Sequence, residues 1–201
     1  MKIENKIKGV LFDFDGTLTL PGALDFLAIK HEMNCPPDLP ILEFIQTRPP
    51  EDRVGLLNLL ETKEDEAARR AIPNKGAEPC IRALQQKGLP LGIITRNSLK
   101  SLQTGIENFP GLELEDFHAV VTRADSRPKP HPEGVHQAAG QMGITARELL
   151  MIGDFRFDII AGKAAGAKTV LLTNGGESIM APEDPEPDFV VGTLEEILFL
   201  I

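Results

Sequence analysis

Asp13-Phe14-Asp15-Gly16 places two carboxylates one residue apart at the end of a short apolar run. If that run is a buried strand, both aspartates leave it on one side, because alternate side chains of a strand share a face. Gly16 lets the backbone turn sharply afterwards. Carboxylates so placed can bind a hard cation, and one of them can act as a nucleophile or an acid. Seen alone, however, the pair favours a polar turn with two solvated aspartates.

The rest of the chain supplies the elements that would position such a site. Five further apolar runs are predicted to be strands: residues 89–94, 119–122, 149–152, 169–172 and 189–191. Segments with helical spacing lie between them: residues 77–87, 99–107, 132–142 and 157–165. Alternating strands and helices predict parallel pairing with helices on both faces of the sheet. We therefore expect an α/β fold with a three-layer, Rossmann-like core and a mostly parallel sheet.

Polar side chains follow successive predicted strands. Asp13 follows the first strand, Thr95 ends the second, Lys129 lies in the loop after the third, and Asp154 follows the fourth. The carboxyl ends of parallel strands form one edge of the sheet, where such sheets bind ligands. These side chains suit phosphate and Mg²⁺. Their convergence turns the aspartate pair from a turn into a candidate site.

Residues 20–74 interrupt this alternation. They contain four helical patterns, residues 23–33, 39–46, 52–60 and 63–71, separated by prolines such as Pro36-Pro37 and Pro49-Pro50. We expect residues 1–19 and 75–201 to form the core, and residues 20–74 to form a small all-helical cap inserted after the first strand. A cap over the strand ends would exclude water from a site. The alternative is an extra helical layer of the same core.

Composition restricts the partners of the protein. A net charge of −9 argues against nucleic acid and anionic membranes as partners, although a cation can make one cleft locally positive. Cys35 and Cys80 show neither disulfide nor metal spacing and favour buried thiols in a reducing compartment. With no transmembrane span and no signal peptide in the charged N-terminus, residues 1–8, we expect a cytoplasmic monomer or homodimer.

Four segments resemble the motifs of the haloacid dehalogenase-like hydrolase superfamily. They are Asp13-Phe14-Asp15-Gly16-Thr17-Leu18, Ile93-Ile94-Thr95-Arg96-Asn97, Pro128-Lys129-Pro130 and Gly153-Asp154-Phe155-Arg156-Phe157-Asp158. The order is most similar to the branch that contains phosphoglycolate phosphatases, whose members carry a helical cap between the first two motifs. The cap is short for that branch, which leaves the substrate open but not the chemistry.

The resemblance implies a Mg²⁺-dependent phosphatase acting on a small phosphate monoester. Asp13 would attack phosphorus and form an aspartyl-phosphate. Asp15 would protonate the leaving oxygen and then activate water, a role that needs a pKa raised by burial beside Asp13. Thr17 would orient Asp15, or serve as a turn or helix-capping hydroxyl.

The same resemblance implies the groups that hold phosphate and metal. The hydroxyl of Thr95 and the backbone N–H groups of Arg96 and Asn97 would bind the phosphoryl oxygens. Lys129, held between two prolines, would neutralise the nucleophile and the transferred phosphoryl group.

Mg²⁺ would bind Asp13, the backbone carbonyl of Asp15 and Asp154. Asp158 follows Asp154 by one helical turn and would support a metal-bound water or Lys129; the alternative is an acid at a helix N-terminus.

Phosphoglycolate, a sugar phosphate or a nucleoside monophosphate would suit a lidded pocket. A phosphomutase of the same superfamily is an alternative, but its cap would have to retain an intermediate and shield aspartyl-phosphate from water. A non-catalytic phospho-ligand-binding protein is another, and the intact motif residues argue against it. Dehalogenation is disfavoured, because it needs neither a second acid nor Mg²⁺.

Overall fold

The computed structural model describes residues 7–201, so most of the charged N-terminal segment lies outside the described residues. Six strands form one sheet in the order β3-β2-β1-β4-β5-β6, and every neighbouring pair is parallel. The predicted α/β, Rossmann-like fold class is confirmed. The strands are β1 (Gly9–Phe12), β2 (Leu91–Ile94), β3 (Ala119–Val121), β4 (Leu149–Gly153), β5 (Lys168–Leu172) and β6 (Phe189–Val191).

Helices cover both faces of this sheet. Val10 and Phe12 of β1 point into one apolar cluster, which includes Ile81 and Leu102. Leu11, between them, points into the opposite cluster with Val135. This alternation gives the three layers, and it explains why the strands read as continuous apolar runs. The helices of the core are α4 (Ala77–Gln86), α5 (Leu99–Ile106), α6 (Glu133–Gln141) and α7 (Arg156–Ala165).

Three further helices lie between β1 and α4: α1 (Phe26–Glu32), α2 (Ile41–Thr47) and α3 (Pro50–Ala68). The prediction of two helices over residues 52–60 and 63–71 is wrong, because α3 is continuous. No proline or glycine breaks the chain between them, and the Thr62 hydroxyl donates to the Asn58 carbonyl at 2.8 Å within the helix. None of the helices in residues 7–201 is long and apolar enough to cross a membrane.

Residues 20–74 have an apolar cluster of their own, which includes Ile29, Ile41, Phe44 and Leu60. Its two ends run side by side at the core, where Leu20 N donates to Ile72 O at 2.8 Å and Asn74 N donates to Leu18 O at 2.7 Å. The separate cluster supports the proposal that residues 20–74 form a cap domain, which contacts the core through α3, where Asp65 accepts from the Ser101 hydroxyl of α5 at 2.8 Å.

Asp188 ties the start of β5 to the strand that follows it. Its carboxylate accepts from the Thr169 amide at 2.9 Å and pairs with Lys163 at 2.8 Å and Lys168 at 2.9 Å. Burial opposes ionisation, but these hydrogen bonds outweigh it and lower the pKa of Asp188 from 3.8 to about 2. The ionised carboxylate therefore stabilises the edge of the sheet.

Asp188→Asn should lower the free energy of unfolding by about 1–2 kcal/mol near pH 7, because charge-assisted hydrogen bonds are lost. Since the folded pKa lies below the unfolded one, the wild-type contribution is complete above pH ~4 and is lost as the pH falls towards ~2. Urea unfolding near pH 7 and near pH 3 measures this. The difference in free energy of unfolding between wild type and Asp188→Asn should be smaller near pH 3 than near pH 7. The exposed Asp38→Asn variant should unfold with the same free energy as wild type at both. An equal difference for Asp188→Asn at the two pH values would refute the assignment.

Candidate active site

The ammonium of Lys129 lies at the centre of the strand ends, with only 3% of the residue exposed. Its Nζ donates to Asp13 Oδ1 at 2.6 Å, to Asp158 Oδ1 at 2.6 Å and to the Ile94 carbonyl at 3.0 Å. Burial favours the neutral amine, but the two carboxylates outweigh it and raise the pKa of Lys129. The site therefore has a fixed, permanently charged cation.

Asp13 follows β1 and is held by its backbone, whose N–H donates to Ile152 O at 2.9 Å. Burial raises the pKa of its carboxyl well above 3.8, the Lys129 ammonium opposes this rise, and the charges of Asp158 and Asp154 add to it. The Lys129 ammonium therefore favours the ionised carboxylate of Asp13 against burial, and additional positive charge nearby would favour it further.

Asp154 follows β4 and lies against the loop after β1. Its Oδ1 accepts from the Thr17 hydroxyl at 3.1 Å, and burial, followed by the charge of Asp158, raises its pKa to about 7. A Cβ atom on Gly16 would lie 2.1 Å from Asp154 Oδ2, and Gly16 has a φ of +78°. Only glycine allows this approach. Thr17 was expected to orient Asp15, but its hydroxyl contacts Asp154, because the turn at Gly16 directs it towards β4.

Asp15 lies on the other side of the same loop. Its Oδ2 accepts from the Asn97 side-chain amide at 2.7 Å. Burial raises the pKa of Asp15 to about 6, and Lys129 and Asn97 oppose that rise. The expected raised pKa is present, and burial rather than the charge of Asp13 is its main cause. A carboxyl with a pKa near neutrality can both give and take a proton.

The turn after β2 differs in detail from the sequence expectation. The Asn97 N–H donates to Thr95 Oγ1 at 3.1 Å, so this predicted phosphate donor already has an intramolecular acceptor. Such a bond is typical where a threonine precedes a helix, here α5 with Ser98 as its N-cap. The Thr95 hydroxyl acts there as an acceptor, which leaves its own proton for a ligand. Asn97 contacts the site through its side chain instead.

Three carboxylates could hold a metal ion: Asp13, Asp154 and Asp158 offer oxygens within 4.8 Å of one another. Asp158 has both oxygens engaged, one by Lys129 and one by the Phe155 N–H at 3.0 Å. Both interpretations of this residue, lysine partner and acid at the start of α7, therefore describe real contacts. Asp13 and Asp154 each keep one oxygen without a side-chain donor from residues 7–201. An all-oxygen donor set fits a hard divalent cation.

Sequence reasoning missed two asparagines that brace the loop after β1. Asn74 Nδ2 donates to Thr17 O and to Asn174 Oδ1, both at 2.8 Å. Asn174 Nδ2 donates to Gly16 O at 2.8 Å, and its own φ is +52°. Each asparagine stands close to a glycine, a pattern that reads as turn punctuation. Their contacts span the chain and leave no signal in local spacing.

A family model described as haloacid dehalogenase-like hydrolase matches residues 7–166. The chain belongs to this family. It is 34% identical over 198 residues to an uncharacterized hydrolase of Saccharomyces cerevisiae, with 97% of this chain and 91% of that protein covered. It is 32% identical over 148 residues to the phosphoglycolate phosphatase of Neisseria meningitidis, with 71% and 62% covered. The structure of a hydrolase from Pseudomonas syringae superposes with a TM-score of 0.81 at 21% identity, over 96% of both chains.

A substitution at Gly16 tests whether Asp154 helps to bind Mg²⁺ at this site, as the sequence predicts. Gly16→Ala should lower the affinity for Mg²⁺ by about 10–100-fold, because the new methyl group displaces Asp154. Gly22→Ala is a matched control: Gly22 has a φ of +93°, but its Cβ would meet nothing within 4 Å. Titration calorimetry with Mg²⁺ compares the two variants. Equal losses of affinity would show that backbone strain, not contact with Asp154, matters at Gly16.

Proposed function

We propose that the protein is a Mg²⁺-dependent phosphatase that hydrolyses a small phosphorylated metabolite through an aspartyl-phosphate on Asp13. The observation that carries this proposal is the buried Lys129 ammonium, 2.6 Å from Asp13 Oδ1. It favours the ionised form of a buried carboxylate beside a second carboxyl, Asp15, whose pKa is about 6. A nucleophile next to a separate proton donor is what two-step ester hydrolysis needs. The likeness to a phosphoglycolate phosphatase supports the same reaction.

In the first step one carboxylate oxygen of Asp13 attacks the phosphorus atom. The new bond joins aspartate oxygen to phosphorus, and the bond from phosphorus to the leaving oxygen breaks. Asp15 donates its proton to that leaving oxygen, so an alcohol departs. Lys129 offsets negative charge on Asp13 and on the transferred group, because its ammonium is fixed before the reaction begins.

In the second step water attacks the phosphorus atom of the aspartyl-phosphate. Asp15, now a carboxylate, takes a proton from this water, and the bond from Asp13 to phosphorus breaks. Inorganic phosphate leaves, and both aspartates return to their starting states. The Asn97 amide holds Asp15 in both states, since it is 2.7 Å from Asp15 Oδ2.

Phosphate binding is assigned to the turn after β2. The Thr95 hydroxyl donates to a phosphoryl oxygen, because its oxygen already accepts from Asn97 N–H. The Arg96 N–H is the second donor, and Asn97 acts through Asp15 rather than through its backbone. Placing donors before the substrate arrives reduces the reorganisation needed in the transition state.

Mg²⁺ is assigned to Asp13, Asp154 and the backbone carbonyl of Asp15. When bound, it would add positive charge against the phosphoryl oxygens and the clustered carboxylates. The Thr17 hydroxyl, 3.1 Å from Asp154 Oδ1, orients the carboxylate that would hold it.

Asp13→Asn should lower phosphate release by about 10³-fold or more, because the amide cannot form the covalent intermediate. Asparagine is nearly isosteric with aspartate, so the variant should still unfold cooperatively on heating. Phosphate release from p-nitrophenyl phosphate and from a metabolite panel measures the loss, with exposed Asp38→Asn as the control. Substantial turnover by a folded Asp13→Asn protein would remove Asp13 from its role.

EDTA should abolish turnover, and added Mg²⁺ should restore it, because the carboxylate cluster otherwise lacks its cation. The assay follows phosphate release before chelation, after chelation and after stepwise addition of Mg²⁺. Ca²⁺, a larger ion with looser geometry, should restore less. Turnover that persists in excess EDTA would contradict the metal assignment while leaving the two aspartates open to test.

A further inference from the structure

Arg96 links the proposed phosphate site to the cap. Its guanidinium forms a two-point ion pair with Glu43 of α2, with Nη1 3.0 Å from Oε1 and Nη2 2.6 Å from Oε2. It also donates to the Lys129 carbonyl and lies 5.0 Å from the centroid of the Phe157 ring. Lys129 and Phe157 hold this side chain on the core, so Glu43 is the cap's contribution to an arginine that is already in place.

Cations of the neighbouring loops are also paired with carboxylates. The loops after the first five strands, as far as the structure describes them, contain four cations: Arg96, Arg123, Arg127 and Lys129. Each is paired with a carboxylate, and for Arg123 the partner is Glu64 of α3, 2.5 Å away. Arg156, at the start of α7, is paired with Asp184. No cation of these loops is left for a second acidic group on a ligand.

We infer that the substrate is a phosphate monoester of an uncharged alcohol, such as a sugar, a polyol or a nucleoside, and that Glu43 sets this preference. The inference rests on the proposed phosphatase function. Arg96 directly follows Thr95, so its pair with Glu43 borders the place where the phosphoryl group would bind. An acidic leaving group would meet a neutralised arginine and the negative charge of Glu43.

The inference separates this chain from the phosphoglycolate phosphatase that it resembles over part of its length. Phosphoglycolate carries a carboxylate next to its ester and would have to compete with Glu43 for Arg96. The Glu43 pair is favoured in that competition, because it is bidentate and tethered to the cap. A neutral hydroxyl group leaves the pair intact. Bisphosphorylated sugars, which carry a second dianion, are disfavoured by the same reasoning.

A matched pair of substrates tests the inference. 2-Phosphoglycolate and 2-hydroxyethyl phosphate differ only in a carboxylate that replaces a hydroxymethyl group. With Mg²⁺ present, kcat/KM should be at least about tenfold higher for 2-hydroxyethyl phosphate, the effect of about one charge-assisted hydrogen bond. A preference for 2-phosphoglycolate would overturn the inference and leave the phosphatase function standing. Hydrolysis of neither ester, nor of any other in a metabolite panel, would overturn both.

Variants of the cap test the role of Glu43. Glu43→Gln frees the guanidinium, so the ratio of kcat/KM for 2-phosphoglycolate to that for 2-hydroxyethyl phosphate should rise about tenfold. Glu32→Gln is the matched control, because Glu32 pairs at 2.8 Å with Lys63, another cap residue. It should leave the ratio unchanged. If Glu43→Gln changes both substrates by the same factor, Glu43 only docks the cap, and the inference is overturned.

Discussion

The buried ammonium of Lys129, held between Asp13 and Asp158, is the interaction on which the rest of the site depends. It joins the end of β1, the carbonyl of Ile94 at the end of β2 and the first turn of α7. Without it, two carboxylates would remain buried and unpaired, a change that typically costs about 3–5 kcal/mol. The same contact favours the ionised form of Asp13 that the proposed mechanism requires. Stability and the proposed chemistry therefore rest on one ion triad.

The topology explains why the sequence predicted so much of this arrangement. β1 lies in the middle of the sheet, with β2 on one side and β4 on the other. Residues that follow these strands must meet at one edge, so Asp13, Thr95 and Asp154 could be placed together from their positions in the chain alone. Strand positions followed from apolar runs for a similar reason, because strands buried on both faces have little freedom in composition.

The contacts that escaped prediction depend on where side chains point within turns. Thr17 contacts Asp154 instead of Asp15 because Gly16 has a positive φ, and Asn97 uses its side chain because Thr95 captures its N–H. The directions of these side chains follow from the backbone geometry of the folded turns, not from the spacing of residues in the sequence. Asn74 and Asn174 were missed because their mutual contact spans 100 residues. The sequence predicts two helices where the structure has only α3, because the charged residues in its middle interrupt the apolar periodicity.

Charge in this protein is organised locally rather than globally. The chain carries a net charge of −9, yet cations lie in the loops at the strand ends and pair with carboxylates, among them Glu43 of α2 and Glu64 of α3. Glu43 and Glu64 arrive on α2 and α3, so the segment proposed as a cap also completes the electrostatics of the site. On our account, because the loop cations are already paired, the positive charge of the site compensates chiefly the phosphoryl group of the substrate.

The central claim is that Asp13 becomes covalently phosphorylated. The reaction is quenched during turnover and treated with borohydride, which reduces an acyl phosphate to an alcohol. A trapped aspartyl-phosphate is thereby converted to homoserine, which peptide mass spectrometry detects. The account predicts homoserine at position 13, dependent on substrate, and aspartate unchanged at positions 15 and 154. Turnover without modification at position 13, or homoserine at position 15 instead, would contradict it.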